Sequence, residues 1–210
     1  MDEFYLQSIV RGVAATPPAE WLAVALGVVY VLLIMRRNRR GWVAGGISSA
    51  ILVVLAARAH LPMQALLQFS YVLAAFYGWF SWAPGSQPQR ISVWPMSRHL
   101  LAVTLCVLGS LVLARVLAAQ NASAWPFLDS LVTCLGLFAT WLMARVYLEN
   151  WIYWLVIDAI SVFLFIAQQL PVTAMLFVLY FIITCFGLRS WLRNYRGQER
   201  ARSELERPQA

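Results

Sequence analysis

Residues 61–82 read LPMQALLQFSYVLAAFYGWFSW, and residues 170–191 read LPVTAMLFVLYFIITCFGLRSW. The second stretch follows the first at an offset of 109. Extended upstream, the alignment runs without a gap from 21–82 onto 130–191, with eighteen of 62 pairs identical. The informative pairs are Gly27 with Gly136, Arg36 with Arg145, Trp42 with Trp151, Tyr71 with Tyr180, Gly78 with Gly187, and Ser81-Trp82 with Ser190-Trp191. Apolar helices share Leu, Val and Ala by chance, whereas matched Trp, Pro and Gly at one offset mark an internal repeat.

The composition sets the setting of that repeat. Of 210 residues, 61% are hydrophobic and 12% charged, about half the charge of a soluble domain. Mean hydropathy is +0.69. Seven segments are long enough to be membrane helices: 19–35, 42–58, 64–82, 99–118, 127–147, 151–168 and 172–191. Pro17-Pro18 suit a helix start, and Pro62 and Pro171 mark tight turns. The expected fold is an all-α polytopic membrane protein. An external segment, 1–18, precedes a first three-helix repeat, 19–82. A loop and linker helix, 83–126, lead to a second repeat, 127–191, and a tail, 192–210. One crossing between the units makes them parallel, a 3+1+3 arrangement of a kind used by transporters.

All 16 basic residues are Arg. With the N-terminus outside, thirteen lie on inner loops and the tail, and three (Arg11, Arg58, Arg115) outside. This bias puts the C-terminus in the cytoplasm and reads the charge as topology rather than a nucleic-acid footprint. The tail after Trp191 is polar and reads as a frayed helix end or disordered chain. Asp2 and Glu3 in place of a basic run argue against a cleaved signal peptide. Cys106, Cys134 and Cys185 lie in apolar segments without metal-knuckle spacing and read as small core residues. Neither His60 nor His99 has ligands spaced for a metal. Asn121-Ala122-Ser123 matches a glycosylation sequon, a match common by chance.

The sixth segment carries the chemistry. Trp151, Trp154, Asp158, Ser161, Phe165 and Gln168 recur at three- and four-residue steps and so form one stripe. Asp158 is the only carboxylate deep in any segment, at an insertion cost of about 2.5–3.5 kcal/mol. Such a group should face the bundle interior with a partner: a substrate, or a structural donor such as Ser48 or Ser49. Trp154 offers a π-face one turn inside the boundary. Trp151 lies at the boundary, where an interfacial belt role competes with binding. Asn150 can read an amide or cap its helix. On the third segment Gln64, Gln68, Tyr71, Gly78 and Trp82 share a stripe, and Gln68 both donates and accepts. On the seventh, Thr173, Phe177, Tyr180, Thr184 and Gly187 do the same. The substrate-contact set is therefore Trp154, Asp158, Gln68, Asn150, Tyr180, Trp151, Ser161 and Phe177. Gly41, Gly45 and Ser49 stand where Asn150, Trp154 and Asp158 stand in the second unit. They read as close helix packing and predict an off-centre site dominated by that unit.

Glu149-Asn150-Trp151-Ile152-Tyr153-Trp154 with Asp158 and Ser161 resembles the signature of PnuC-type vitamin transporters. So do Tyr71…Tyr77-Gly78-Trp79-Phe80-Ser81-Trp82 and Leu170-Pro171…Tyr180…Gly187…Trp191. The resemblance covers roughly residues 20–192. It departs at Gln168-Gln169, where a Lys-Gly turn is expected. It implies a SWEET-like 3+1+3 fold, a central site and no cofactor, and allows homotrimers. It also implies facilitated diffusion of nicotinamide riboside across a bacterial cytoplasmic membrane by alternating access, made one-way by a cytoplasmic kinase. Thiamine, riboflavin or a nucleoside are the alternative substrates. A membrane-embedded enzyme lacks a nucleophile–base pair here, and a non-transporting scaffold is the remaining class.

Overall fold

The computed structural model describes residues 17–58, 62–83, 90–119, 124–168 and 171–205, which are helical but for short connections and one isolated bridge. The sequon at 121–123, His60, Gln169 and the first sixteen residues lie outside them. The helices are α1 (Pro18–Met35), α2 (Arg40–Arg58), α3 (Pro62–Ser81), α4 (Met96–Ala119), α5 (Pro126–Ala144), α6 (Asn150–Ala167) and α7 (Pro171–Leu205). Six are long and apolar enough to cross a membrane, and α3 falls short because Gln64, Gln68 and Ser70 interrupt it.

Local chemistry sets the ends. Pro18 and Pro126 occupy first-turn positions, where a missing N–H costs nothing. α1 closes in a Schellman turn: Asn38 N–H donates to Leu33 O at 2.9 Å and Arg37 N–H to Ile34 O at 2.8 Å, with Arg37 left-handed at φ 53. α5 closes the same way. Tyr147 N–H donates to Leu142 O at 2.9 Å and Val146 N–H to Met143 O at 3.0 Å, with Val146 at φ 59. That turn stops α5 at Ala144 rather than at 147, as hydropathy alone suggested.

Among the described residues α1 packs on α2 and α7, α3 on α2 and α5, and α6 on α5 and α7. Six helices thus close a ring, and α4 leans on α5 from outside, with His99 of α4 also hydrogen-bonded to Tyr153 of α6 at 3.0 Å. Contacts inside the ring recur at the 109-residue offset. A Cβ on Gly78 would collide with the Trp42 indole, and one on Gly187 with the Trp151 indole. Trp82 meets Trp42 edge-on at 5.5 Å, as Trp191 meets Trp151 at 5.6 Å. Trp82 Nε1 donates to Ala144 O at 3.0 Å, and Trp191 Nε1 to Met35 O at 3.1 Å. The Tyr71 hydroxyl sits over Gly136, and the Tyr180 hydroxyl over Gly27.

The largest buried cluster gathers at one end of the ring, from Ile34, Trp42, Trp82, Met143, Trp151 and Trp191 with neighbours. Trp151 is wholly buried. The glycine on α7 opens a slot that draws it inside, so it is not the interfacial belt residue its position suggested. Cys185 is exposed on the apolar outer surface, while Cys106 and Cys134 are half-buried.

The tail also differs from expectation, because α7 continues as helix through Leu205. Leu192 and Tyr195 pack against the buried cluster, and Ile91 N–H donates to Gln198 Oε1 at 3.1 Å. One face of the extension is docked, which a polar composition does not reveal.

Candidate functional site

The ring encloses a cavity of about 110 Å³. Its walls are Gly27 and Tyr30 of α1, Trp42, Gly45, Ser48 and Ser49 of α2, Tyr71 and Ala75 of α3, Thr140 of α5 and Trp154 of α6. Glycines make the room: a Cβ on Gly45 would stand 2.7 Å from the Tyr30 ring, and one on Gly27 2.8 Å from the Tyr180 hydroxyl.

Most wall hydroxyls are already committed. Ser48 Oγ donates to Ala23 O at 2.7 Å, Thr140 Oγ1 to Gly136 O at 2.8 Å, and Tyr30 OH to Met143 Sδ at 3.0 Å. The indole N–H groups of Trp42 and Trp154 are different. Both are buried without an acceptor in the protein, a state that costs free energy until something supplies one. The cavity therefore offers flat apolar faces to an aromatic ligand, with two indole N–H groups buried in the packing of its walls.

The structure places the eight sequence-derived residues in distinct surroundings. Trp154 is on the cavity wall. Asp158, one turn further along α6, is buried, and its Oδ2 accepts from Thr184 Oγ1 of α7 at 3.0 Å. Tyr180 reaches across to Gly27 beside the cavity, and Phe177 meets it edge-on at 5.9 Å while stacking on Phe165 at 5.2 Å. Ser161 is buried further along α6, and Gln68 is half-buried on α3 outside the cavity walls. Asn150 is fully buried and donates from Nδ2 to Tyr147 O at 2.6 Å, bracing the turn before α6. Trp151 belongs to the packed cluster. Eight of the ten wall residues come from the first unit, so the cavity is off-centre in the sense opposite to the expectation.

Tyr30, Trp42, Tyr71 and Thr140 were not picked out as contacts. Tyr30 pairs with Ala139 in the repeat and carried no sequence signal. Trp42 and Tyr71 were visible as repeat matches, but a match marks scaffold and cavity alike.

A ring of helices of this length around an aromatic cavity is an arrangement that can pass a small molecule across a bilayer. The family model for the nicotinamide mononucleotide transporter matches residues 17–193. The chain belongs to that family. It is 26% identical to the nicotinamide riboside transporter PnuC of Escherichia coli (strain K12) over 165 residues, covering 65% of this chain and 69% of that one. It is 27% identical to the riboflavin/roseoflavin transporter RibM of Streptomyces davaonensis over 180 residues, covering 81% and 83%. The crystal structure of the vitamin B3 transporter PnuC superposes with a TM-score of 0.69 at 20% identity, over 92% of this chain and 89% of that one. The protein is thus a multi-pass membrane transporter, not an enzyme.

Proposed function

We propose that this transporter carries nicotinamide riboside by facilitated diffusion across the cytoplasmic membrane of a bacterium. Two parallel three-helix units alternate access to the cavity, with the N-terminus outside and the C-terminus in the cytoplasm. The SWEET-like 3+1+3 description is supported by the contacts that recur at the 109-residue offset. Trapping by an intracellular kinase makes uptake one-way, and homotrimers are compatible with the apolar outer surface.

The observation that carries the substrate is the cavity itself. A dry cavity of about 150 Å³ holds one benzene ring. This one, at about 110 Å³, is smaller, so a single flat ring enters between its aromatic walls only as the helices part slightly, and the sugar of the riboside needs the same opening. The three-ring isoalloxazine of riboflavin is the second reading, favoured by the breadth of the RibM match, and needs a wider cavity. Competition binding on purified protein tests the choice. Nicotinamide riboside should displace bound label and riboflavin should not; the reverse result overturns the assignment.

Asp158 lies one turn from Trp154 and accepts from Thr184 at 3.0 Å, with no cation within ion-pair distance among the described residues. A cationic ring in the cavity would supply the opposite charge that a buried carboxylate lacks. Asp158→Asn should therefore weaken binding of the cationic riboside several-fold and leave a neutral ligand unaffected. Equal loss for both ligands points to a structural role. Tyr180, Phe177, Gln68 and Ser161 then flank the path and adjust on opening, and Asn150 and Trp151 hold the frame.

Uncoupled passage of a cation follows the membrane potential at about 2.3 kcal/mol per 100 mV, which is roughly 50-fold accumulation. Proteoliposomes held about 100 mV inside-negative should reach that ratio without a proton gradient. A proton requirement would remove facilitated diffusion.

A further inference from the structure

The buried cluster at one end of the ring is closed across the two units by a matched pair of hydrogen bonds. Trp82 at the end of α3 donates to Ala144 O at the end of α5. Trp191 on α7 donates to Met35 O at the end of α1. Donors and acceptors differ by 109 residues in each case, so one contact is made twice in opposite senses. Both indoles are buried, Trp191 completely. Each accepting carbonyl lies in the last turn of its helix, where carbonyls lack intrahelical partners. The same helix pairs, α3 with α5 and α7 with α1, pack the two units together, and Tyr30 OH of α1 also donates to Met143 Sδ of α5 across them at 3.0 Å.

The connecting segment is bound differently. Ser92 N–H donates to Val146 O at 3.1 Å, Leu148 N–H to Ser92 O at 2.9 Å, Trp94 N–H to Glu149 Oε1 at 2.7 Å, and Ile91 N–H to Gln198 Oε1 at 3.1 Å. Each of these bonds runs to the second unit or its helical extension, and α4 also packs on that unit. The strap can therefore travel with the second unit while the first moves against it. The two indole bonds must break in such a movement, and the strap bonds need not.

We propose that the Trp82–Ala144 and Trp191–Met35 hydrogen bonds are the paired latches of a cytoplasmic gate, which must both part before substrate leaves the cavity for the cytoplasm. The inference rests on the transporter reading and orientation above. The packed Trp42, Trp82, Trp151 and Trp191 rings form one buried cluster that shares Trp42 with the cavity wall, and the two N–H donors set how readily that stack opens. Trp82 and Trp191 are thus positioning residues; neither lines the cavity.

Phenylalanine at either position keeps the ring and removes the donor. The test uses a protein with Cys106, Cys134 and Cys185 replaced by serine and Ser49→Cys on the cavity wall as reporter. A membrane-impermeant thiol reagent is applied to right-side-out and to inside-out vesicles. Trp82→Phe and Trp191→Phe should each raise the labelling rate from the cytoplasmic face roughly 2- to 10-fold, the range of one net hydrogen bond. The double variant should raise it further, and labelling from the external face should not increase. Unchanged rates in both variants overturn the latches, and an equal rise from both faces shows general loosening and overturns them too. A rise confined to the external face overturns the orientation and with it the cytoplasmic assignment. Binding of nicotinamide riboside to the parent protein tests the substrate separately. Should the Ser49→Cys reporter not assemble, Thr140→Cys on the same cavity wall takes its place. An unchanged cytoplasmic labelling rate there also counts against the latches.

Discussion

Trp154→Ala should weaken substrate binding roughly 10- to 100-fold. Trp154 brings the one large aromatic face that the second unit contributes to the cavity, opposite Tyr30, Trp42 and Tyr71 of the first. Stacking on such a face is worth about 1–3 kcal/mol per ring, and a cationic ring adds about 0.5–2 kcal/mol. The indole N–H is a second, separable part, because it has no acceptor in the protein. Trp154→Phe keeps the face and removes the donor, so its loss should be smaller, about 3- to 10-fold. Calorimetric titration of the purified variants checks both. Equal losses for Ala and Phe would mean that the donor rather than the face holds the ligand. Unchanged affinity in both would place the substrate outside this cavity. The repeat supplies the reason for asymmetry: the equivalent of Trp154 is Gly45, whose bare backbone lets the Tyr30 ring pack against it on the cavity wall.

How much of this was legible in the sequence follows from what each signal measures. Hydropathy measures transfer into lipid, so the helices were found to within a few residues, except that α7 runs past 191 to Leu205 on polar residues hydropathy does not score as helix. It cannot see a Schellman turn closing on Val146, so it ran α5 three residues too far. The offset of 109 measures shared scaffold, and the contacts at Gly78 and Gly187 are scaffold, so their glycines stood out as matches. The cavity mixes matched residues (Gly27, Trp42, Tyr71) with unmatched ones such as Tyr30 and Trp154, so the offset alone does not separate it from scaffold. Tyr30 faces Met143 across the units, and no feature of its own segment distinguishes it from a lipid-facing aromatic. Trp42 and Trp151 look like interfacial residues by position and are drawn inside by a glycine two helices' worth of sequence away.

One departure could have been read. Ser49 and Ala75 in the first unit become Asp158 and Thr184 in the second, both at the same offset. The structure joins that second pair at 3.0 Å. Two polar changes at linked positions of a repeat point to one another, because a buried carboxylate needs a donor. The same reasoning gives Asp158 a partner within the protein, which a single-residue view of the stripe on α6 could not supply.

The largest effects on stability should come from the paired glycines. Gly78→Ala and Gly187→Ala should each cost about 1–3 kcal/mol or more, lowering the unfolding midpoint by about 2–12 °C in a chain of this size. The added Cβ would fall on the Trp42 ring in one case and the Trp151 ring in the other. Neither ring can yield: Trp42 is 2% exposed and Trp151 is 0% exposed, and each is held edge-on by a second tryptophan. The helix must therefore shift, which pulls Trp82 or Trp191 away from its carbonyl on the other unit. Gly197→Ala is the internal control, because nothing lies within 4 Å of a Cβ there. It should be neutral or slightly stabilising, since alanine gains up to about 1 kcal/mol over glycine in a helix. Thermal unfolding of the three variants in detergent separates the causes. Loss at 78 and 187 with none at 197 assigns the cost to the indole slots. Equal loss at all three would mean that helix flexibility, not the slot, is what glycine provides. Because the two slots are copies, Gly78→Ala and Gly187→Ala should also differ little from each other. A large difference would show that the second unit, braced by the strap and by α4, tolerates the shift less than the first.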